Sequence, residues 1–413
     1  MRDAGTKVRR AARACDDRLE WLKPDRSERA LTNAVQSVAT RGSFHLLSAA
    51  LARAGPHAGR VEAVIVGAGA SGVLHALALR AAGVRIAAIY DPDGERARAL
   101  AELCEARVVD SLASAASVDA VIAAVCSPPS AHVAQAEVLS ASASDRVVLV
   151  EKPVATTRAE LDRLCALPTC VPVLQWRAGR ALRALRRAVV HGELGPAPVV
   201  SCDLAWSRDD DYFAARRGWG CGALLSIGIH AVDAIAWALG RAIEGAAGLT
   251  STRRGVDHEG PSAIEGDTSA VGVLRLSDGA MASLRISLDG AADTTRITMC
   301  GGGTSVSLEG GEADPTSGRL RWQAKSARVL ERLVALERDT PGALGSPLLV
   351  PYLGAAIAAV RDGEAPGETQ RLPSIADTFG AHAAVIAIAA PLAGVLGAQS
   401  ASRARDDAGM QAR

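Results

Sequence analysis

The stretch that decides the fold runs from Val61 to Asp91: VEAVIVGAGASGVLHALALRAAGVRIAAIYD. Its opening, VEAVIVG (61–67), is an apolar run of strand length, SGVLHALALRAAG (71–83) has helical composition, and VRIAAIYD (84–91) is a second strand that ends in an acid. Between the first strand and the helix lies Gly67-Ala68-Gly69-Ala70-Ser71-Gly72, a G-x-G-x-x-G spacing in the strand–turn–helix setting that gives the pattern meaning. The first glycine makes the tight turn, the second lets a pyrophosphate approach the backbone, and the third lets the helix pack on the strand. The free amides of Ala70, Ser71 and Gly72 at the helix N-terminus then receive the phosphates. Asp91, at the end of the next strand, is placed to accept hydrogen bonds from the adenosine ribose and to repel a 2′-phosphate. The expected cofactor is therefore NAD, with NADP possible through Arg96 or Arg98 on the following helix. Without a ligand, the same residues would form a tight βα turn and nothing more.

Outward from this stretch the alternation continues. GERARALAELCE (94–105), SAHVAQAEVLSA (130–141) and TTRAELDRLCAL (156–167) read as helices; VDAVIAAV (118–125), RVVLV (146–150) and VPVLQW (171–176) read as strands. Near-continuous apolar strands alternating with helices predict a doubly wound parallel sheet covered on both faces, an α/β Rossmann domain over 61–177. After Arg177 the rhythm changes. A helix near 180–191 leads to APVVSCDLAWS (197–207) and a long helical stretch at 222–239. TSAVGVLRLSDGAMASLRISL (268–288) is two strands around Ser-Asp-Gly, a hairpin signal, and TTRITMC and TSVSLEG continue the β pattern. With helices at 347–361 and 374–390, residues 178–398 read as an α+β domain with a predominantly antiparallel sheet. Residues 1–60 form an Ala- and Arg-rich helical extension, and 399–413 a polar tail.

A chain of 413 residues is long enough for two domains, and its net charge of +1 gives no bulk attraction to nucleic acid or to anionic membranes. With three Phe, three Tyr and six Trp there is no stacking platform for single strands. The eight cysteines include no CxxC pair and read as reduced thiols, which favours a cytoplasmic location. Charged AARACDDRLEWLK follows Arg9-Arg10, so no secretory leader is expected, and Thr378–Ser402, rich in Ala and Gly and broken by Pro391, reads as a buried helix rather than a membrane span. The eight histidines show no i, i+4 pair and no Cys/His set has ligand spacing, so no metal is expected.

In such sheets ligands bind beyond the carboxyl ends of the strands. The ends available are Cys126-Ser127-Pro128-Pro129 and Glu151-Lys152-Pro153, both stiffened by proline. Lys152 is either an exposed turn residue or a cation at the rim, able to stabilise charge developing on a substrate oxygen. In the second half GALLSIGIHAVDAIAWALG (222–240) is apolar on nearly every side except for Ser226, His230 and Asp233, spaced i, i+4, i+7. That stripe must be satisfied by a ligand pocket or by a structural network.

VIVGAGASG, CSPPSAH, VEKP and GCGALLSIGIHAVD occur in that order, followed by the hairpin LRLSDGAMASLRIS. Over about 61–390 the sequence resembles the glucose–fructose oxidoreductase and inositol dehydrogenase (Gfo/Idh/MocA) family. The resemblance implies oxidation or reduction at a secondary alcohol or carbonyl of a sugar-like or cyclitol-like small molecule. It also implies an open second sheet that mediates homodimers or homotetramers. By the same likeness Lys152 and His230 are the catalytic residues. Pro128 and His132 match the segment along the nicotinamide. Ser127, Glu151 and Lys152 at the strand ends are expected beside the cofactor, Ser226 and Asp233 to support the substrate site, and Gln175, Trp176, Arg177 and Tyr212 to form the pocket wall. One departure stands out: the family places Asp four residues before the histidine, where this chain has Ser226. Serine cannot hold an imidazolium by charge. This keeps two alternatives open, a reductase of a biosynthetic ketone or imine, and a non-catalytic dinucleotide-binding sensor or scaffold.

Overall fold

The structure, a computed structural model, describes residues 61–390 apart from 144–145, 258–259, 264–265, 311–315, 317, 343–347, 350, 355–356 and 358–372. The expectations for 1–60 and 399–413, and most of that for 347–361, lie outside the described residues.

The first half is a six-stranded, all-parallel sheet. In chain order it comprises β1 (Glu62–Val66), α1 (Ala70–Ala81), β2 (Arg85–Tyr90), α2 (Gly94–Cys104), β3 (Arg107–Val108), α3 (Leu112–Ala116), β4 (Ile122–Val125), α4 (Pro129–Ser142), β5 (Val147–Val150), α5 (Arg158–Cys165) and β6 (Cys170–Pro172). The strand order is β3-β2-β1-β4-β5-β6. Strand order reverses between β1 and β4, which opens the ligand crevice of this topology at the end of β1. Ala63–Val66 and all four residues of β4 are buried, as expected for strands sandwiched between helix layers. The expected strand at 171–176 is shorter. Val173 donates its last ladder bond to the Val150 carbonyl, and Gln175–Ala178 then turn as a 3₁₀ helix pinned by the Thr316 hydroxyl on the Trp176 carbonyl (2.7 Å).

The second half follows with α6 (Arg180–Val190), β7 (Val199–Ser207), α7 (Asp210–Ala214), α8 (Ile229–Leu239), β8 (Ile243–Ser251), the ribbon β9 (Arg254–Asp257) and β10 (Gly260–Ala263), β11 (Ser269–Leu276), β12 (Met281–Ser287), β13 (Asp289–Gly301), β14 (Thr304–Gly310), β15 (Arg319–Ala324), α9 (Ala327–Arg338) and α10 (Ile375–Ala389). Its seven-stranded sheet has the order β15-β14-β13-β7-β12-β11-β8, and every pair is antiparallel except β12 with β7. The hairpin at Ser277–Gly279 forms as expected, with Asp278 and Gly279 both at positive φ. One face of this sheet (Val200, Cys202, Leu204, Leu284, Ile286, Ile297) packs on α8 and α10. Among the described residues the other face exposes Val199, Leu249, Val271, Val273 and Met281.

Two features differ from the sequence reading. The C-terminal elements do not belong to the second half alone: Leu349, Tyr352, Leu353 and Ile357 pack into the core around β1, and Ile375 at the start of α10 packs among β4 and β5 side chains. The expected continuous helix over 222–239 is a π-helical turn, Leu224–Gly228, leading into α8. Asp267 causes the irregular start, because its carbonyl accepts from Ala223 N (2.6 Å) and its carboxylate from Leu224 N (2.8 Å). A Cβ on Gly222 would sit 2.2 Å from the Asp267 backbone, so only glycine allows this approach. The wider turn breaks the regular i, i+4, i+7 stripe, and Ser226 therefore does not stand directly below His230.

Candidate active site

The glycine turn has the geometry its spacing predicts. Gly67 sits at φ +100°, and a Cβ there would lie 2.7 Å from the Cys126 carbonyl carbon and the Ser127 nitrogen; a Cβ on Gly72 would lie 2.0 Å from the Gly67 oxygen. Gly69 is the opposite: a Cβ there meets nothing within 4 Å among the described residues. The first and third glycines thus serve close packing, while the second borders open space. Helix α1 starts at that space with no side-chain cap and no acid in its first turn, leaving the Ala70, Ser71 and Gly72 amides for an anion. The Asp91 carboxylate accepts from Ala68 N (2.6 Å) and Asp93 N (2.8 Å), which fixes it at the end of β2 beside the turn. A cradle whose middle glycine faces room, with uncapped amides and one fixed carboxylate, fits a dinucleotide.

The rim beyond β4 and β5 is tied by buried polar groups. His132 spans the two strand ends: Nε2 lies 2.7 Å from the Ser127 carbonyl and Nδ1 2.9 Å from that of Pro153. Burial pushes its pKa down, and the neutral ring has one N–H, which it donates to one of these two carbonyls. His132 therefore braces the rim. The Ser127 hydroxyl donates to Gln135 (2.5 Å). The Lys152–Pro153 peptide is cis. Beneath it Glu151, nearly buried, accepts from His75 Nε2 at 2.9 Å through one oxygen and from the Lys152 amide at 3.1 Å through the other. Burial opposes ionisation of Glu151, but the hydrogen bond and charge of His75, then Lys152 and His230, bring its pKa down to about 2. Burial likewise opposes charge on His75, and Cys126 and Glu151 beside its ring outweigh it, raising its pKa to about 10. The result is a buried ion pair under the lysine turn.

Lys152 reaches the turn that leads into the His230 helix, and its charge is felt at the imidazole. The Lys152 ammonium donates to the Ser226 carbonyl at 3.0 Å, one turn before His230, and crosses from the first half to the second to do so. His230 is 3% exposed, its ring stacks on Trp176 (centroids 5.1 Å apart, planes 12° apart), and its buried Nδ1 has no partner among the described residues. Burial, followed by the charge of Lys152, holds its pKa well below the usual 6.5, so the ring is neutral near pH 7. Trp176 is the wall behind this imidazole. Asp233 and Arg177 satisfy each other in a bidentate pair, Nε to Oδ2 at 2.8 Å and NH2 to Oδ1 at 2.5 Å, both nearly buried. They brace the helix; the pair also borders a cavity of about 470 Å³ shared with Arg186, Trp237 and Arg241, which neither Lys152 nor His230 lines. Ser226 is half-buried, with its hydroxyl 3.4 Å from the Ala223 carbonyl.

Sequence reasoning missed His75 and Asp267. His75 stands mid-helix as one polar residue in LHALAL, a pattern equally suited to an isolated core histidine. Asp267 lies 43 positions from the helix start that it shapes, and no local spacing connects them.

A parallel sheet with a dinucleotide cradle, joined to a second sheet whose helix brings an imidazole to the rim lysine, defines an NAD-binding oxidoreductase fold of two domains. Residues 61–169 match the oxidoreductase family with an NAD-binding Rossmann fold (GFO_IDH_MocA), and residues 182–307 match its C-terminal domain. The chain belongs to the Gfo/Idh/MocA oxidoreductase family. Inositol 2-dehydrogenase 1 of Saccharopolyspora erythraea is 30% identical over 192 residues, 43% of this chain and 54% of that enzyme; the match thus spans about half the length of that relative. Among solved structures, the chain is similar to the WlbA dehydrogenase from Bordetella pertussis in complex with NADH and UDP-GlcNAcA (20% identity, TM-score 0.66, covering 81% of this chain and 95% of that one). It is also similar to the UDP-N-acetylglucosamine 3-dehydrogenase from Acidithiobacillus ferrooxidans (17% identity, TM-score 0.61, covering 79% and 96%). These two likenesses concern the fold.

Proposed function

We propose that the chain is an NAD-dependent dehydrogenase acting on a secondary alcohol or carbonyl of a sugar-like or cyclitol-like small molecule. The observation that carries this reading is the meeting of Lys152 with the His230 helix at the rim of the glycine cradle. The nicotinamide, when bound, supplies or accepts the hydride. Lys152 spends one of its three N–H donors on the Ser226 carbonyl, which fixes its direction, and has two left for a substrate oxygen. There it stabilises the negative charge that develops as the alcohol loses its proton. His230, neutral and held flat by Trp176, takes that proton at Nε2, because Nδ1 is enclosed. Ser127, Pro128 and Glu151 form the nicotinamide side of the crevice, which His132 braces. Asp91 takes the adenosine ribose. Arg96, already paired with Asp93 at 3.1 Å, is drawn away from a 2′-phosphate, which supports NAD over NADP.

The sugar-like class is supported by relatives named as inositol and sugar-nucleotide dehydrogenases. The missing carboxylate at Ser226 favours, as a second reading, reduction of a biosynthetic ketone or imine, since the one acid a turn away, Asp233, is taken up by Arg177. A homo-oligomer formed through the outer face of the second sheet accounts for its exposed Val199, Leu249, Val271, Val273 and Met281. A cytoplasmic location agrees with the free cysteines among the described residues.

The experiment is a screen of purified protein against polyols, sugars and keto sugars with NAD and NADP in both redox states, followed by nicotinamide absorbance. Turnover with NAD is expected. Cofactor binding without turnover across the whole panel would favour the sensor, and markedly tighter NADPH binding would reverse the cofactor assignment.

A further inference from the structure

Between β7 and the π turn, α7 and the loop after it gather arginines on aromatic rings. The Arg208 guanidinium lies over Trp206 (5.2 Å) and Tyr212 (5.3 Å), Arg253 over Phe213 (5.1 Å), and Arg216 over both Tyr212 (3.6 Å) and Trp219 (4.9 Å). Their counter-charges differ. Arg208 is paired with Asp293 at 3.4 Å, and Arg253 with Asp210 at 2.6 Å and Asp289 at 3.0 Å. Among the described residues Arg216 donates to the Tyr212 carbonyl (3.0 Å), and no carboxylate pairs with it. Stacking on a ring holds a guanidinium in place but occupies none of its five N–H donors.

We infer that Arg216, clamped by Tyr212 and Trp219, binds an anionic group on the substrate, so that the sugar handled at this site carries a carboxylate or a phosphate. The inference rests on the dehydrogenase reading and deepens it. Position links Arg216 to the chemistry. Its loop runs on to Gly220, where a Cβ would lie 3.9 Å from the Thr156 side chain just past the lysine turn. The next residue, Cys221, has a half-buried thiol that burial pushes up to about 11, while Lys152 and Arg216 both pull it down. The charges of both cations thus act on one sulfur. Burial, with Arg208 nearby, disfavours the Arg216 charge, and Tyr212 and Cys221 compensate only in part. A planar fork held half-buried without a carboxylate is suited to two-pronged binding of carboxylate or phosphate.

The test is calorimetric titration of the NAD-loaded protein with glucose, glucuronate and UDP-glucose. At least one anionic probe is expected to bind about 10- to 100-fold more tightly than glucose, the value of one charge-assisted contact. Arg216→Gln is expected to remove that preference without changing glucose or NADH affinity, and Arg216→Lys to restore part of it. Preference for glucuronate assigns the group to a carboxylate on the sugar; preference for UDP-glucose assigns it to a diphosphate. Three results would overturn the inference: glucose binding as tightly as both anions, neither anion binding, or Arg216→Gln leaving anion affinity intact. Should NADH fail to bind while an Arg216-dependent anion site persists in the cofactor-free protein, the dehydrogenase reading falls and the anion site stands.

Discussion

The buried His75–Glu151 pair makes a prediction that needs no substrate. In His75→Leu the Glu151 carboxylate stays 8% exposed and loses its main partner. Its pKa falls from the ordinary 4.5 to about 2 in the native protein. At about 1.4 kcal/mol per pH unit this corresponds to roughly 3 kcal/mol, in line with the ~3–5 kcal/mol lost on breaking a buried pair. For a domain of this size that is a fall of roughly 10 °C in Tm. The pH window follows from both partners. The Glu151 contribution is complete above its ordinary 4.5 and is lost as pH falls towards 2, whereas the His75 contribution is complete below its ordinary 6.5 and is lost as pH rises towards 10. The gap between wild type and variant should therefore be widest between pH 4.5 and 6.5 and shrink on either side. The assay is thermal unfolding across pH of wild type, His75→Leu, Glu151→Gln and the double variant. The double variant, which leaves no unpaired charge, should recover part of the loss. A drop below about 1 kcal/mol in His75→Leu, or a gap that does not vary with pH, would refute the buried ion pair.

Lys152→Ala should reduce turnover by about 100- to 1000-fold while NADH affinity, read by fluorescence, is kept; unchanged turnover would remove this lysine from the chemistry. Because His230 titrates well below 6.5, alcohol oxidation should hold level from pH 8 down past 6.5, with kcat/KM falling only at lower pH, and carbonyl reduction should speed up as pH falls; an acid limb at 6.5 or above would contradict a neutral, desolvated imidazole. Gly69→Ala meets nothing within 4 Å among the described residues and should fold with unchanged Tm yet lose NADH affinity, whereas Gly72→Ala, 2.0 Å from the Gly67 oxygen, should lower Tm as well; equal effects in both assays would mean that the space at Gly69 is not the cofactor's.

The parallel domain was legible because its signals are local: an apolar strand, three glycines at fixed spacing and an acid ending the next strand all fall within 61–91. Lys152 was legible because proline and strand end mark the rim. What was not legible depended on distance along the chain. The π turn at Leu224–Gly228 arises from Asp267, on a separate loop. Asp233 carries the same polar signal as His230, yet Arg177, 56 positions earlier, occupies its carboxylate. The short β3 shows two exposed residues and no period to read. No spacing in the sequence sets Arg216 apart from the neighbouring arginines; its stacking on Tyr212 and Trp219 does.

The single parallel pairing in the second sheet sets an order of events at the ribosome. Strand β7 is central, flanked by β12 and β13, and its contacts with β12 join residues 82 positions apart, Asp203 to Arg285. When β7 emerges, neither neighbour exists, and at about 5–20 residues per second they follow roughly 4–16 seconds later. Throughout that interval a strand with Val200, Cys202, Leu204 and Trp206 on its inner face offers open backbone on both edges. Nascent chains stalled before residue 281 should thus be the species most in need of chaperone cover.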